Sequence, residues 1–331
     1  MIGFIARRTG WALFATLCVI VVVFALMFVA GDPAATTLGP HASREAIHDF
    51  QVREGLDQPI LAQLASYLGV GRCVRKNAKG YTRPDGSRGF CGLLEGDFGV
   101  SYSAREPVAN VIARRVPRTL VLSGMAMLFE LLIGVTAGII AAFRRHTWTD
   151  TGIMFGTFVG ISLPTYVTGP LALMFFAFLL GWFPVGGYGV GAWEHIRHAL
   201  LPALILAVTG AATYARVMRS DLIDTLRDDH VRTARAKGLG PMAVLFRHGV
   251  RNALLPTVTL IGLSLPFLVG GAIITEKIFA WPGLGLLTLE AINNLDAPMV
   301  MAVVVMFAIM VQIGNLLADV AVAMLDPRVR G

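Results

Sequence analysis

Four groups of residues have types and spacings that could do chemistry. Glu130 stands near the middle of the apolar run 120–143. An ionisable group at that depth in a membrane costs about 3 kcal/mol on insertion scales, so it marks a functional position by default. The competing reading is a protonated or hydrogen-bonded acid at a helix–helix contact. That reading is preferred, because the same span holds no second acid for a proton relay. Glu276 ends another apolar run beside Lys277, and it either lines an outer gate or snorkels at the interface. His195 and His198 are three apart with Glu194 adjacent, a spacing that can hold a metal. A third ligand is missing, so they read as interfacial histidines and no metal is expected. Cys73 and Cys91 lie in a polar stretch with no histidine near them, which argues against zinc. A disulfide between them is the expectation on an oxidising face of the membrane, with two unpaired thiols as the alternative.

Other chemistries are missing. No G-x-x-x-x-G-K-[ST] phosphate cradle occurs, nor H-E-x-x-H or G-x-S-x-G. The chain is not expected to bind ATP or to be an enzyme. Of its 331 residues 55% are hydrophobic and only 15% are charged. Soluble domains are nearer a quarter charged, and several runs reach the ~20 residues that cross a bilayer. The net charge of +7 then reads as basic cytoplasmic loops rather than nucleic-acid binding, since no zinc-finger spacing or basic–aromatic module accompanies it.

The positioning elements follow from the apolar runs. Six spans are expected, at 11–30, 120–143, 151–180, 200–216, 254–278 and 300–324. The first is too long for a signal-peptide core and lacks a clean cleavage site. Cys18 within it reads as inert packing. Pro164 and Pro170 are expected to kink the third. Between the first two spans, the polar segment 31–116 should hold one helix opened at Ser43 and running to about Glu54, and another over 58–68. A turn is expected at Arg83-Pro84-Asp85-Gly86. Trp182-Phe183-Pro184 marks an outer interface, and 186–198 reads as a short outer loop. Six spans put both termini inside, together with Arg7-Arg8, Arg144-Arg145, the loop 220–252, and Arg328 and Arg330.

That loop has an internal order that a basic cytoplasmic loop does not require. A helix over 222–237 should stop at Gly238-Leu239-Gly240-Pro241, and a second helix should start at Pro241. Met242, Leu245, Phe246, Gly249, Val250 and Ala253 then recur at helical spacing. Two helices meeting at a glycine corner make a rigid knob suited to docking.

The stretch Val231-Arg232-Thr233-Ala234-Arg235-Ala236-Lys237-Gly238-Leu239, followed by His248, Arg251-Asn252-Ala253-Leu254 and Pro256, closely resembles the coupling loop of bacterial ABC-importer permeases of the oligopeptide/dipeptide/nickel group. Gly31-Asp32-Pro33, Leu56-Asp57-Gln58-Pro59, Gly96-Asp97-Phe98-Gly99-x-Ser101, Glu276-x-x-Phe279-x-Trp281-Pro282-Gly283-Leu284-Gly285 and the closing Leu325-Asp326-Pro327-Arg328 resemble the same group, as do Asn315 and Asp319. At Asp296 the group's usual aromatic is replaced by Ala297. The segment 72–90 looks like an insertion relative to the group's pattern.

The resemblance implies an all-α polytopic membrane protein of type I ABC-importer permease fold, with an extracytoplasmic insertion after helix 1. It divides into 1–30 (cytoplasmic N-terminus and helix 1), 31–116 (extracytoplasmic segment) and 117–331 (permease core). It implies residence in the bacterial inner membrane and import of peptides, with glutathione, opine or nickel as alternatives. The implied partners are a second homologous permease, two ATPase subunits that bind the ATP and magnesium, an extracytoplasmic solute-binding protein, and lipid. It places Arg232 to Leu239 in the ATPase-coupling contact, and it makes Glu130, Glu276, Pro282 and Gly283 candidates for the path or gate. An ion-coupled secondary transporter is the alternative class. Such a carrier has no evident use for the helix–glycine–helix knob.

Overall fold

The computed structural model describes residues 2–29, 33–39, 42–54, 56–69, 75–77, 80–82, 88–89 and 92–325. Cys73 and Cys91, and the turn at 83–86, lie outside these residues. The helices are α1 (Ile2–Val29), α2 (Pro33–Leu38), α3 (Arg44–Glu54), α4 (Ile60–Leu68), α5 (Val108–Phe143), α6 (Trp148–Ser162), α7 (Thr165–Ala172), α8 (Ala192–Thr225), α9 (Asp229–Ala236), α10 (Pro241–Val244), α11 (Arg251–Ile278), α12 (Leu284–Asn293) and α13 (Ala297–Leu325). Wide π-helical turns at Leu173–Leu179 and Leu245–Val250 extend α7 and join α10 to α11. By length and composition, four described helices can cross a membrane: Ala6–Met27, Val108–Phe143, Ala192–Thr225 and Ala297–Val320. They become five if the bent pair α6 and α7 forms one span.

Several sequence expectations are corrected. The chain is mostly helical rather than all-α, because β1 (Arg75–Asn77), β2 (Gly80–Thr82) and β3 (Arg88–Gly89) form a small antiparallel sheet in the order β1-β2-β3. This polar, glycine-rich stretch has no apolar helical face to bury, and pairing as strands satisfies its backbone instead. The run 151–180 is broken rather than kinked, with its halves at 103°. Pro164 supplies no N–H and excludes Leu163 from helical geometry, so Leu163 is extended (φ −91, ψ 113). Helix α8 starts at Ala192, inside the stretch read as a loop, with Glu194 in its first turn where the helix dipole favours an acid. The helix read over 222–237 breaks at Leu226, and α9 restarts after Asp228, whose carbonyl accepts from Val231 N and Arg232 N. Helix α12 was not expected at all. The Ser43 start is as read: its hydroxyl accepts from Ala46 N at 3.1 Å.

The chain divides into two compact units. One comprises Met1–Gly10, Arg118–Leu286 and Met310–Gly331, the other Trp11–Pro117 and Leu287–Ile309.

In the first unit, α8 carries a buried alanine every fourth residue, at Ala199, Ala203, Ala207, Ala211 and Ala215, followed by Met218 and Leu222. That spacing keeps one thin face along the helix. Gly134 and Gly138 of α5 lie on this face. A Cβ at Gly138 would come 2.7 Å from both the Ala215 carbonyl and the Met218 Cβ. Small residues allow this approach, which supplies helix association where lipid gives no hydrophobic drive. Gly160 brings α6 against Val208 and Ala212. Asp150 of α6 accepts two bonds from the Arg219 guanidinium of α8, at 2.6 and 2.7 Å. Helix α11 is tied to α8 by a 2.6 Å bond between the Tyr214 and Ser264 hydroxyls.

In the second unit, Ile20 and Phe24 of α1 share a core with Tyr67 of α4 and Val305 of α13. Asp296 is fully buried at the start of α13. It accepts from Ser101 Oγ (2.5 Å), Ser103 Oγ (2.7 Å), Ser103 N (3.1 Å), Tyr102 N (3.2 Å) and Met299 N (3.3 Å). The last bond caps α13, and the others fasten the loop that follows Gly96-Asp97-Phe98-Gly99.

Gly138→Leu is expected to force α5 off α8 and to lower the stability of the purified protein by 1–3 kcal/mol or more, the range for overpacking. Gly124→Leu, where a Cβ meets nothing within 4 Å, should leave it unchanged. Thermal melting of the two variants in one detergent checks this.

Candidate functional site

The knob is built from α9, the Gly238 corner and α10. Helix α9 ends in a paired cap: Leu239 N donates to the Ala234 carbonyl (3.4 Å) and Gly238 N to the Arg235 carbonyl (2.9 Å). This closure needs a left-handed residue at its centre, and Gly238 has φ +80. Pro241 then opens α10 at its first turn. Inside the corner Val231 and Ala234 meet Val244, with Leu226 half-buried against them. Outside it, Arg232, Thr233, Arg235, Ala236, Lys237, Gly238 and Leu239 are exposed. Met242 and Phe246 add an apolar surface at 59% and 55% exposure.

The structure therefore separates the predicted coupling residues. Seven are on the surface, while Ala234 holds the knob together from within.

The knob is fixed to the helices beneath it. Leu245, Val250 and Ala253 pack with Met218 and Leu222. Gly249 sits in a notch where an added Cβ would meet Leu222 and Leu226 side chains at 3.0 Å. Asn252 Nδ2 donates to the His248 carbonyl (3.3 Å) and lies 3.1 Å from His230 Nε2.

Glu276 is neither snorkelling nor exposed; it is fully buried at the end of α11. Thr119 Oγ donates to its Oε1 (2.7 Å), and Leu286 N donates to its Oε2 (3.0 Å). Thr119 Oγ in turn accepts from Leu284 N at 2.8 Å. Gly283 lies so close that a Cβ there would overlap the carboxyl. The carbonyl of half-buried Pro282 accepts from Arg118 at 3.4 Å, and Trp281 Nε1 donates to the Arg118 carbonyl at 3.1 Å. The Arg118 guanidinium stands 4.6 Å over the Tyr188 ring. The motif around Glu276 thus folds back onto α5, and Glu276 and Gly283 act as its fastening.

Glu130 is 3% exposed, and its carboxyl occupies the space that a Cβ at Gly210 would need. Its carboxyl therefore lies at the contact of α5 with α8. The expected hydrogen-bond partner is not there: among the described residues, Oε2 has none. It stands eleven residues along α5 from Thr119, about 16 Å away at 1.5 Å per residue, so the structure does not bring the two acids together.

His195 Nδ1 lies 2.8 Å from the Tyr188 carbonyl, and its ring stacks on Tyr188 with centroids 3.8 Å apart. His198 Nδ1 lies 2.8 Å from the Glu194 carbonyl. The Nδ1 atom of each ring is thus turned to a backbone carbonyl.

Sequence reading missed Thr119, Arg118, Asp150 with Arg219, and the pairing of Asp296 with Ser101 and Ser103. For the close helix packing, Gly134-x-x-x-Gly138 and Gly152-x-x-x-Gly156-x-x-x-Gly160 were signals open to detection.

The two buried acids predict opposite responses. Glu276→Gln removes one of two acceptor oxygens and should cost about 1–3 kcal/mol. Glu130→Gln keeps the shape of an unpartnered group and should leave melting temperature and uptake near normal. A Glu130→Gln protein that assembles fully but fails to transport would instead make Glu130 a path residue.

Two family descriptions match the chain. Residues 134–331 match "Binding-protein-dependent transport system inner membrane component", and residues 1–123 match the N-terminal part of such membrane components. The oligopeptide transport system permease protein AppB of Bacillus subtilis is 35% identical over 99% of this chain and 99% of its own length. The glutathione transport system permease protein GsiC of Escherichia coli K12 is 36% identical over 100% and 99%. The inward-facing MetNI methionine ABC transporter matches in fold, with a TM-score of 0.55 at 19% identity, covering 65% of this chain and 96% of the matched one. A full-length relationship of this kind removes the ion-coupled carrier as an alternative. The chain belongs to the inner membrane component family of binding-protein-dependent transport systems, the non-catalytic permease subunits of ABC importers.

Proposed function

We propose that this permease imports peptides or a chemically related small solute such as glutathione, and that Arg232 to Leu239 transmit the drive from a partner ATPase. The observation that carries the coupling role is the knob: a closed apolar interior, a glycine corner and an outer face of Arg232, Arg235, Lys237, Leu239, Met242 and Phe246 left uncovered. The substrate class rests on relatives named for oligopeptide and glutathione transport. Opine and nickel are the remaining alternatives.

This reading takes the chain to have six spans. The four long apolar helices and the bent pair α6–α7 are joined by α11, whose 28 residues reach about 42 Å. Both termini and the knob then face the cytoplasm, and 31–116 lies outside with 72–90 inserted in it. A second permease completes the path, two ATPase subunits bind ATP and magnesium, and an extracytoplasmic binding protein delivers the solute. The ATPases must bind the inward and outward states with different affinity, because only that difference drives the alternation.

The test is a surface change that spares the knob's interior. Lys237→Asp and Arg235→Asp each reverse an exposed charge and leave the Gly238 corner intact. Each should cut uptake in proteoliposomes at least tenfold while the chain still inserts. Solute-stimulated ATP hydrolysis should fall with it. Ala234→Asp would collapse the corner itself and cannot isolate the docking contact. Normal uptake and coupled hydrolysis in both surface variants would refute the coupling assignment.

A further inference from the structure

A second exposed feature lies where α5 meets α6. Helix α5 ends at Phe143, and the turn Arg144-Arg145-His146-Thr147 leads directly into Trp148. The turn is held in shape. His146 adopts φ +63, and its N–H donates to Asp150 Oδ2 at 3.1 Å. Thr147 Oγ donates to the Arg144 carbonyl at 2.6 Å. The Asp150 carboxylate at the turn is occupied by the Arg219 guanidinium. Arg144 and Arg145 are exposed, and among the described residues neither has an acidic partner. Trp148 is 91% exposed beside them. A tryptophan next to two uncompensated guanidiniums at a span's end suits the headgroup layer of a membrane.

An apolar groove of about 240 Å³ runs along the same helices above this turn. Its lining includes Ala137, Ile153, Gly156, Gly160, Val208 and Ala215. Ile153 is one turn beyond Asp150 on α6, and Ala215 is one turn before Arg219 on α8. The groove therefore begins at the Asp150–Arg219 pair and rises away from the turn. At Gly156 an added Cβ meets nothing within 4 Å, so the wall there is open.

We infer that this corner is a binding site for an anionic phospholipid of the inner leaflet, with its phosphate on Arg144 and Arg145, its interfacial region against Trp148, and one acyl chain in the groove. Guanidiniums take phosphate in paired hydrogen bonds. Arg144 stands two turns beyond the groove residue Ala137, so the groove would take the acyl chain of a lipid whose phosphate sits on that charge. A protein helix fills the groove without needing the two charges, and free phosphate uses the charges without needing the groove. The placement of the turn on the cytoplasmic side rests on the six-span reading proposed above.

The test uses the assembled complex, permease with its ATPase and second permease, purified into nanodiscs of phosphatidylcholine with a minor share of phosphatidylglycerol. Co-purified lipid is counted by native mass spectrometry. The unaltered complex should retain phosphatidylglycerol over phosphatidylcholine. Arg144→Gln with Arg145→Gln should reduce that retention on the order of tenfold. Gly156→Leu, which fills the groove and leaves both charges, should reduce it comparably. Retention unchanged in either variant overturns the site. Displacement of the lipid by added inorganic phosphate makes it a free-anion site instead. Unchanged lipid with loss of the ATPase in the Arg144→Gln/Arg145→Gln complex makes the turn a protein contact. If the ATPase is already missing from the unaltered complex, the coupling proposal fails and this one is judged on lipid retention alone.

Discussion

The Arg118–Leu286 portion depends on how closely α8 is approached. Five alanines four residues apart give that helix one face with almost no side-chain thickness. Gly134 and Gly138 bring α5 onto it until backbone carbonyls and Cβ atoms touch, and Gly160 brings α6 against Val208 and Ala212 beside it. In hydrocarbon this contact has no hydrophobic supplement, so the gain comes from dispersion over many short distances and is lost quickly when the helices separate. The polar pairs at the contact, Asp150 with Arg219 and Tyr214 with Ser264, then act as register marks: each fits only one axial setting of the helices.

The same closeness explains two carboxyls that look alike in the sequence. Both Glu130 and Glu276 lie against a glycine that leaves room for nothing larger. Glu276 receives a hydroxyl and a backbone N–H, so its burial is compensated and the segment Trp281–Leu286 is held to α5 through it. Glu130 is enclosed with an oxygen left unpartnered. A buried polar group in that condition costs free energy that a satisfied one does not. The fold tolerates it at a helix contact that many other atoms already determine.

Much of this was legible where the signal is local. The helix stop at Gly238-x-Gly240-Pro241, the cap at Ser43 and the apolar runs each follow from a few adjacent residues. What failed was local competition or distance. Pro164 broke a span rather than bending it, because Leu163 ahead of it was driven extended with no continuous ladder to hold it. The restart at Asp228 had no glycine or proline to announce it. Thr119 and Glu276 are 157 positions apart, and Ser101 and Asp296 are 195 apart. Only a closed fold brings such pairs together. The alanine stripe of α8 was present in the sequence, but a run of Ala, Leu and Ile reads as uniformly apolar until a neighbour shows which face is thin.

In the proposed coupling role the knob would act as a lever because of how little it holds by itself. Its interior is small, with Val231, Ala234 and Val244 as its buried residues, and alone it would bury too little to resist deformation. It is braced instead by the helices it would move. Leu245, Val250 and Ala253 share one cluster with Met218 and Leu222, and Gly249 lets Leu222 and Leu226 close on the chain at contact distance. A push on Arg235 or Lys237 has no slack segment to relax into, since α9 is separated from α8 by three residues and α10 runs into α11 without a break. A load applied there would reach the ends of α8 and α11 together, and α8 is the helix against which α5 and α6 are set. In the proposed coupling role, movement of the knob would be carried into α8 and α11, and the thin alanine face is where α5 packs against α8.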